Sequence, residues 1–216
     1  MKIKLYDECG RKNIFDNLKY LSNGECGSVY LLEDNKCLKY ITDEYAYDVN
    51  AFNTINNLEL PNFTYVYKLL FNTNGNFGGY IMKYYKKEIE DILTTETAYT
   101  LENLKQIIIS IKKITDEGIL VKDLNSNNVI LGKDIMTIID FDMYKYSRIA
   151  YEQLNKYNYQ YIMFLFKCLY LDCLHNYHKT TLYSNKKINE LFNDNNTFQD
   201  ISKKLIKYKY PIDYVK

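Results

Sequence analysis

The chain has 216 residues, of which 47% are hydrophobic and 25% are charged. This apolar content is sufficient to bury a core in one large domain or in two smaller lobes. The net charge is only +1, so the composition gives no overall bias toward nucleic acid or anionic membrane surfaces. We therefore expect no nucleic-acid partner.

Cysteine usage and apolar runs indicate the compartment. The five cysteines include no C-x-x-C pair, so neither a disulfide framework nor a zinc knuckle is indicated, and free thiols in a reducing environment are expected. The N-terminal segment lacks the apolar run of a secretion signal. The most apolar stretch, Tyr161–Leu174, contains Lys167 and Asp172 and is too short to span a bilayer, so it predicts a buried helix. We expect a cytoplasmic protein, in the host cytoplasm if the source is a virus or the chain is an effector.

Residues 1–85 have the pattern of a mostly antiparallel sheet with one inserted helix. Val29–Leu32 and Cys37–Ile41 are strand-like runs on either side of a polar turn. The apolar residues of segment 49–55 then lie on one helical stripe. The segments FTYVYKLLFN and GYIMKYY flank a turn rich in Gly and Asn, which predicts a hairpin.

From about residue 88 the pattern becomes mainly helical. The segment TLENLKQIIISIKKITDEG places its leucines and isoleucines on one face, and Gly118 ends this helix. Two short β runs follow, at Asn128–Leu131 and Met136–Ile139. From about Tyr151 the spacing of apolar residues is helical again.

These elements predict an α+β fold with two lobes. The N-terminal lobe, residues 1–85, contains the sheet and its helix, and the C-terminal lobe, residues 86–216, is mainly helical. The linker Tyr84–Glu88 contains no Pro, Gly or Ser tract, so we expect the two lobes to be tightly joined.

A glycine-containing turn and a lysine in the predicted sheet are candidates for phosphate binding. The sequence from Ser22 to Val29 has Gly24 and Gly27 between two strands, where backbone N–H groups can approach a phosphate. A plain hairpin turn explains this pattern about as well. Lys39 follows in an apolar strand, from which its amine can reach bound phosphates, or it is an ordinary exposed strand residue.

Two polar segments interrupt the apolar runs of the second half. In GILVKDLNSNNVIL, Asp123 and Asn128 form D-x-x-x-x-N after the helix, and in IIDFDMY, Asp140 follows a β run. Carboxylate and amide oxygens are hard ligands that suit Mg²⁺, and a second carboxylate can accept a hydroxyl proton. The alternative is a polar turn between two strands.

In chain order the features are a glycine turn, a strand lysine, a helix, a hairpin, a second helix, D-x-x-x-x-N and D-F. This order resembles the signature of protein kinases. The resemblance is to the protein-kinase-like superfamily, as a compact and divergent member, and it covers roughly residues 15–175. It implies a two-lobed fold that binds ATP and Mg²⁺ in the cleft between the lobes.

The resemblance assigns the nucleotide contacts of the N-terminal lobe. Gly24 and Gly27 belong to the loop that covers the phosphates, Val29 packs on the adenine, and Lys39 holds the α- and β-phosphates.

The resemblance also implies a hinge at the end of the second hairpin strand. Met82 is the gatekeeper, and Lys83, Tyr84 and Tyr85 form the hinge whose backbone reads the adenine.

The remaining implied roles concern acidic and amide side chains. Asp48 is the expected partner of the strand lysine, with Glu44 as the competitor. Asp123 is implied to be the catalytic base or hydroxyl orienter, and Asn128 and Asp140 the Mg²⁺ ligands.

The sequence departs from the kinase pattern at several positions. Lys122 replaces the Arg that precedes the catalytic Asp, Asn125 replaces the lysine two residues after it, and Asp142 replaces the Gly after D-F. An aspartate at that third position should restrict the backbone or add a carboxylate near the metal. The next core helix is expected to start near Asn158, where the family has Asp.

We expect an ATP-dependent phosphotransferase that resembles a Ser/Thr protein kinase and transfers the γ-phosphate to a hydroxyl. The four implied catalytic and metal-binding residues are all present, which favours an active enzyme. A small-molecule kinase on the same fold is an alternative, so the acceptor is a protein or a small molecule. A pseudokinase that acts as a nucleotide-binding or interaction module is a further alternative, which Asn125, Asp142 and Asp48 favour.

Overall fold

The structure is a computed structural model that describes residues 2–24, 26–43, 45–89 and 97–176. Within these ranges the chain forms eleven strands and three α-helices, so the fold is α+β as predicted. The predicted helical segment after residue 176 lies outside the described residues.

A seven-stranded antiparallel sheet forms the N-terminal half, in the order β2-β1-β6-β7-β5-β4-β3. Its strands are β1 Ile3–Tyr6, β2 Lys12–Phe15, β3 Lys19–Asn23, β4 Gly27–Leu31, β5 Lys36–Ile41, β6 Val66–Phe71 and β7 Phe77–Lys83. Helix α1, Val49–Asn57, is inserted between β5 and β6. The predicted sheet with one inserted helix is therefore confirmed, and β6 and β7 are the predicted hairpin.

Helix α1 forms because its sequence supplies both a cap and a buried stripe. The Asp48 carboxylate accepts a hydrogen bond from the Ala51 N–H (3.0 Å), which satisfies one of the free donors at the helix start. Ala51, Phe52 and Ile55 are the buried residues of the helix, and their spacing places them on one face. This face holds α1 against the sheet.

The C-terminal half contains two longer helices and two small antiparallel pairs of strands. Helix α2 is followed by Gly118, whose positive φ of 77° ends the helix as predicted. Strand β8 pairs with β11, and β9 pairs with β10. The bounds are α2 Thr97–Asp116, β8 Ile119–Leu120, β9 Val129–Leu131, β10 Met136–Ile138, β11 Lys145–Tyr146 and α3 Tyr151–Asn176.

Helix α3 begins earlier than one of the predictions placed it. We expected a core helix to start near Asn158, but the helix starts at Tyr151 and Asn158 lies well inside it with 1% of its surface exposed. The start at Tyr151 agrees with the helical spacing of the sequence. In the described part of Tyr161–Leu174, most of the apolar side chains are buried, which confirms the predicted core helix.

The two halves share one hydrophobic core and are joined by backbone hydrogen bonds. The core includes Phe52 from α1 and Ile107 from α2. The side-chain Nδ2 of Asn62 donates to the Met136 carbonyl (2.9 Å), and the Ile138 N–H donates to the backbone carbonyl of Asn62 (2.7 Å). These contacts fix β10 against the segment after α1, so residues from the two halves are held close together.

None of the helices among residues 97–176, nor α1, combines the length and the apolar content that crossing a membrane requires.

Candidate functional site

The register of the sheet places Lys39 at the centre of the site. On β5, Lys39 pairs with Val29 of β4 and with Tyr80 of β7, so the three residues share one face of the sheet. The side chain of Lys39 is only 6% exposed, and its amine lies 5.9 Å from the centre of the Tyr80 ring. Lys39 is therefore a buried cation, which excludes the alternative of an ordinary exposed strand residue.

Two carboxylates neutralise Lys39. The Lys39 Nζ lies 2.5 Å from Asp140 Oδ2, as a hydrogen bond, and 2.7 Å from Asp142 Oδ2, as an ion pair without hydrogen-bond alignment. Burial alone would lower the pKa of the Lys39 ammonium, but the two carboxylates outweigh burial and raise it. Lys39 therefore remains charged at neutral pH.

The predicted pair between Lys39 and Asp48 is wrong in this structure. Asp48 Oδ1 accepts the capping hydrogen bond from Ala51, and Asp48 Oδ2 accepts from the Tyr146 N–H (3.0 Å). Both oxygens are therefore engaged at the start of α1, and the described partners of Lys39 are the two aspartates of IIDFDMY. Glu44, the competing candidate, lies outside the described residues.

The two aspartates differ in their surroundings. The Asp142 side chain is 1% exposed and the Asp140 side chain is 26% exposed. Burial and repulsion from Asp140 raise the pKa of Asp142 to about 7, although Lys39 opposes this shift. The Oδ1 atom of Asp140 is buried without a hydrogen-bond donor, so one oxygen of this carboxylate is available to a cation.

The second predicted pair, Asp123 and Asn128, is also in direct contact. The Asn128 Nδ2 donates to Asp123 Oδ2 (2.9 Å) and to the Asp123 carbonyl (2.8 Å). Asn125 Nδ2 donates to Asp123 Oδ1 (2.7 Å), so both oxygens of the exposed carboxylate are oriented by amides. Asp123 adopts a φ of +52°, a left-handed conformation that aspartate tolerates better than most residues.

Asn158 connects this loop to α3. Its Oδ1 accepts from the Val121 N–H (2.8 Å), and its Nδ2 donates to the Ile119 carbonyl (2.9 Å) and to Thr115 Oγ1 (2.8 Å). The sequence pattern predicted the start of a helix near Asn158 and did not indicate this anchoring role. A polar residue inside a buried helix is the signal that could have indicated it, because such residues need partners.

A backbone hydrogen bond joins the two pairs of site residues. The Ile139 N–H donates to the Asn128 carbonyl (2.9 Å), which extends the pairing of β9 and β10 by one step. Asp140 directly follows Ile139, so the D-x-x-x-x-N loop and the D-F segment run side by side. The structure thus brings together Lys39 with Asp140, and Asp123 with Asn128, at the meeting point of the sheet and the helical half.

These residues fit a divalent cation that takes its other ligands from a substrate. Mg²⁺ is commonly held by one or two carboxylates together with phosphate oxygens. Asp140 offers a buried oxygen without a donor, and the contact of Asn128 with Asp123 uses its amide nitrogen rather than its oxygen. Among the described residues, no three His, Cys, Asp or Glu side chains cluster as a self-sufficient metal site, so phosphate oxygens or water would have to complete the coordination.

The glycine turn has a structural explanation of its own. The Gly24 N–H donates to the Gly27 carbonyl (2.8 Å). A Cβ on Gly27 would lie 2.1 Å from the Tyr40 carbonyl oxygen, so the close approach of β4 and β5 requires glycine there. Glu25, between the two glycines, lies outside the described residues. Phosphate covering by this turn stays a prediction.

The predicted hinge lies at the end of β7. Met82 is 5% exposed and pairs with Val66 of β6. The Lys83 N–H donates to the Tyr65 carbonyl (3.0 Å), and the Tyr84 N–H donates to the Asn35 carbonyl (2.7 Å). These two donors are engaged within the protein, so the predicted adenine contact needs other backbone groups.

Tyr85, the last residue of the predicted hinge, is half-buried. Its ring lies 5.0 Å from the Lys83 amine, and burial raises the pKa of its hydroxyl. The contact of the Tyr85 backbone with adenine, which the resemblance implies, stays a prediction.

Comparison of the chain with protein-family models and with curated proteins gives no match. The resemblance to protein kinases therefore depends on the order of the motifs and on the contacts among the residues that they supply.

Proposed function

We propose that this chain is an ATP-dependent phosphotransferase that transfers the γ-phosphate to a hydroxyl, in the manner of a Ser/Thr protein kinase. The observation that supports this most is the convergence of residues that are far apart in sequence. Lys39 contacts Asp140, Asp123 contacts Asn128, and the Ile139 to Asn128 backbone hydrogen bond places the two pairs side by side. This set combines a cation, two carboxylates and an amide, which is what binding and transferring a phosphate requires.

The phosphates of the nucleotide would be bound mainly by electrostatic interactions. Lys39 remains protonated and would contact the α- and β-phosphates, while Asn128 and Asp140 would hold Mg²⁺. The metal, when bound, neutralises the negative charge of the phosphates. Asp140 would turn from Lys39 toward the metal, and it has one oxygen without a hydrogen-bond donor to offer as a ligand.

Asp123 would orient the acceptor. An acceptor hydroxyl oxygen would attack the γ-phosphorus, the bond from this phosphorus to the bridging oxygen would break, and ADP would leave. The hydroxyl proton would pass to the Asp123 carboxylate, which is exposed and held in one orientation by Asn125 and Asn128. Positioning of the reactants and neutralisation of the phosphate charge supply most of the rate acceleration in such phosphate transfers.

A second candidate function is nucleotide binding with little transfer. Two features favour it. First, Asn125 stands where the family pattern has a cation, and its amide nitrogen donates to Asp123. Second, the charge of Lys39 is already neutralised by two carboxylates. If the acceptor is a small molecule rather than a protein, the same site would serve, because small-molecule kinases on this fold also lack that catalytic-loop lysine.

Nucleotide binding is tested by calorimetry with ATP and Mg²⁺ on the whole chain. We expect binding that is lost with EDTA, and Lys39→Met should weaken it at least about tenfold because one charge on the phosphates is lost. Lys36→Met is the matched control, since Lys36 lies on the same strand and its amine contacts Asp34 (3.9 Å) and the Tyr67 ring (5.2 Å from its centre). This variant should bind within about twofold of the parent. Equal affinity of the two variants would contradict the assignment of Lys39.

Phosphate transfer is tested with labelled ATP, alone and with lysate proteins or a panel of small hydroxyl compounds. Asp123→Asn should lower kcat by about 10²–10⁴-fold and leave the nucleotide Kd nearly unchanged. The control is Asp134→Asn, an exposed residue in the turn between β9 and β10. Unchanged transfer in Asp123→Asn would contradict the role of this residue in accepting the hydroxyl proton. If the parent protein binds nucleotide but transfers no phosphate, the second candidate function is favoured.

A further inference from the structure

One of the two carboxylates on Lys39 is needed elsewhere in the proposed reaction. Asp140 is the side chain that would turn to Mg²⁺, and its 26% exposure and its free oxygen suit that movement. Asp142 differs, because its side chain is 1% exposed and lies 2.7 Å from the Lys39 amine. When Asp140 binds the metal, Asp142 is the acidic side chain that stays in contact with Lys39, among the residues that the structure describes.

The segment that carries Asp142 is fixed on both sides. Phe141 stacks on Phe52 of α1, with ring centres 4.6 Å apart and planes 19° apart. A few residues later, the Tyr146 N–H donates to Asp48 and the Tyr146 hydroxyl is hydrogen-bonded to Thr54 (2.8 Å). Residues 141–146 are therefore attached to α1 at two points, and Asp142 is held between these attachments.

An ammonium group in such a buried position needs a permanent partner. Without one, Lys39 would lose the charge or turn away from the cleft, because an isolated buried cation is strongly unfavourable. Asp48 does not serve, since both of its oxygens are engaged at the start of α1.

We propose that Asp142 is the positioning residue that holds Lys39 toward the nucleotide phosphates, the part that the sequence pattern assigned to Asp48 on α1. The pairing itself depends only on the observed ion pair, and its consequence for the nucleotide rests on the proposed function. Asp142 replaces the Gly of the kinase pattern, so this one difference from the pattern provides the partner of the lysine.

The pairing is tested by a double-mutant cycle in urea unfolding, with Lys39→Met, Asp142→Asn and the double variant. We expect the two changes to be coupled by at least about tenfold in the unfolding equilibrium constant, with the double variant more stable than Lys39→Met alone. The same cycles with Asp48→Asn and Glu44→Gln are the comparisons. Additivity within about twofold for Asp142, or stronger coupling of Lys39 with either comparison residue, would overturn the proposal.

The consequence is tested by MgATP binding and by steady-state kinetics of Asp142→Asn. We expect kcat to fall by at least about tenfold, and Asp142→Glu to recover part of the loss because it restores the charge. This arm also decides the matter if Lys39→Met does not fold. Unchanged kinetics in Asp142→Asn would overturn the positioning role. If the parent protein binds no MgATP, the proposed function fails, and the urea cycle still shows whether Asp142 is the partner of Lys39.

Discussion

Replacing Asn158 with alanine tests how firmly the loop that carries Asp123 is attached to α3. Asn158 is 1% exposed and makes three hydrogen bonds, of 2.8, 2.8 and 2.9 Å. The substitution removes the partner of the Val121 N–H and a partner of the Ile119 carbonyl, both in the segment that leads from β8 into the loop. It also leaves a small cavity inside the helical half.

The expected loss of stability follows from these contacts. A buried polar group left without a partner costs about 1–3 kcal/mol, and the cavity adds to this. Thr115 keeps its own hydrogen bond to the Ile111 carbonyl (2.8 Å), so its contribution is smaller. We therefore expect Asn158→Ala to lower the free energy of unfolding by about 4 kcal/mol, a large share of the roughly 5–15 kcal/mol typical of a domain.

Urea unfolding followed by circular dichroism measures this change. Asn158→Leu separates the two contributions, because leucine fills the space but makes no hydrogen bond, and we expect it to lose most of the same stability. Asn127→Ala, at an exposed residue of the turn Ser126–Asn128, is the control and should change the free energy by less than about 0.5 kcal/mol. A loss below about 1 kcal/mol in Asn158→Ala would refute the view that these hydrogen bonds hold the loop.

Three further predictions concern the scaffold. Gly79→Ala should lower the free energy of unfolding by about 3 kcal/mol, measured in urea, because Gly79 has a φ of +143° and a Cβ would lie 2.1 Å from the Lys39 carbonyl oxygen; a near-neutral result would contradict the strand geometry. Asp48→Ala should lower it by about 2 kcal/mol in the same assay, since a helix cap and a second hydrogen bond are lost. Burial raises the pKa of the Cys37 thiol to about 12. Alkylation at pH 8, followed by mass spectrometry, should therefore modify the exposed Cys9 in the folded protein and Cys37 only after denaturation. Modification of Cys37 in the folded protein would show that β5 is not buried.

Periodicity was sufficient to predict the elements because most of them bury one face. The stripe of α1 and the apolar strands of the β6–β7 hairpin are set by local spacing, and both agree with the structure. The order of the polar motifs likewise predicted that Lys39, Asp123, Asn128 and Asp140 lie near one another. In the structure they form two contacting pairs, which the Ile139 to Asn128 backbone hydrogen bond places next to each other.

The choice among acidic partners could not be predicted in this way. An aspartate at the start of a helix can cap that helix or pair with a lysine of the neighbouring strand, and both uses need the same residue at the same position. At Asp48 the cap is formed. The burial of Asp142 depends on how the segment after D-F packs on α1, a contact between residues far apart in sequence that spacing does not encode.

The hydrogen bonds of Asn62 to β10 have a consequence for how ligands enter and leave the site. In a protein whose halves are joined by a flexible linker, rotation of one half as a rigid body can open the cleft without breaking buried hydrogen bonds. Here the hydrogen bonds between Asn62 and Met136–Ile138 lie at the core that the two halves share. A rotation of one half against the other would therefore expose apolar surface and break these hydrogen bonds. On the proposed function, we therefore expect a nucleotide to exchange through local movement of the surface segments around the site rather than through rotation of one half against the other.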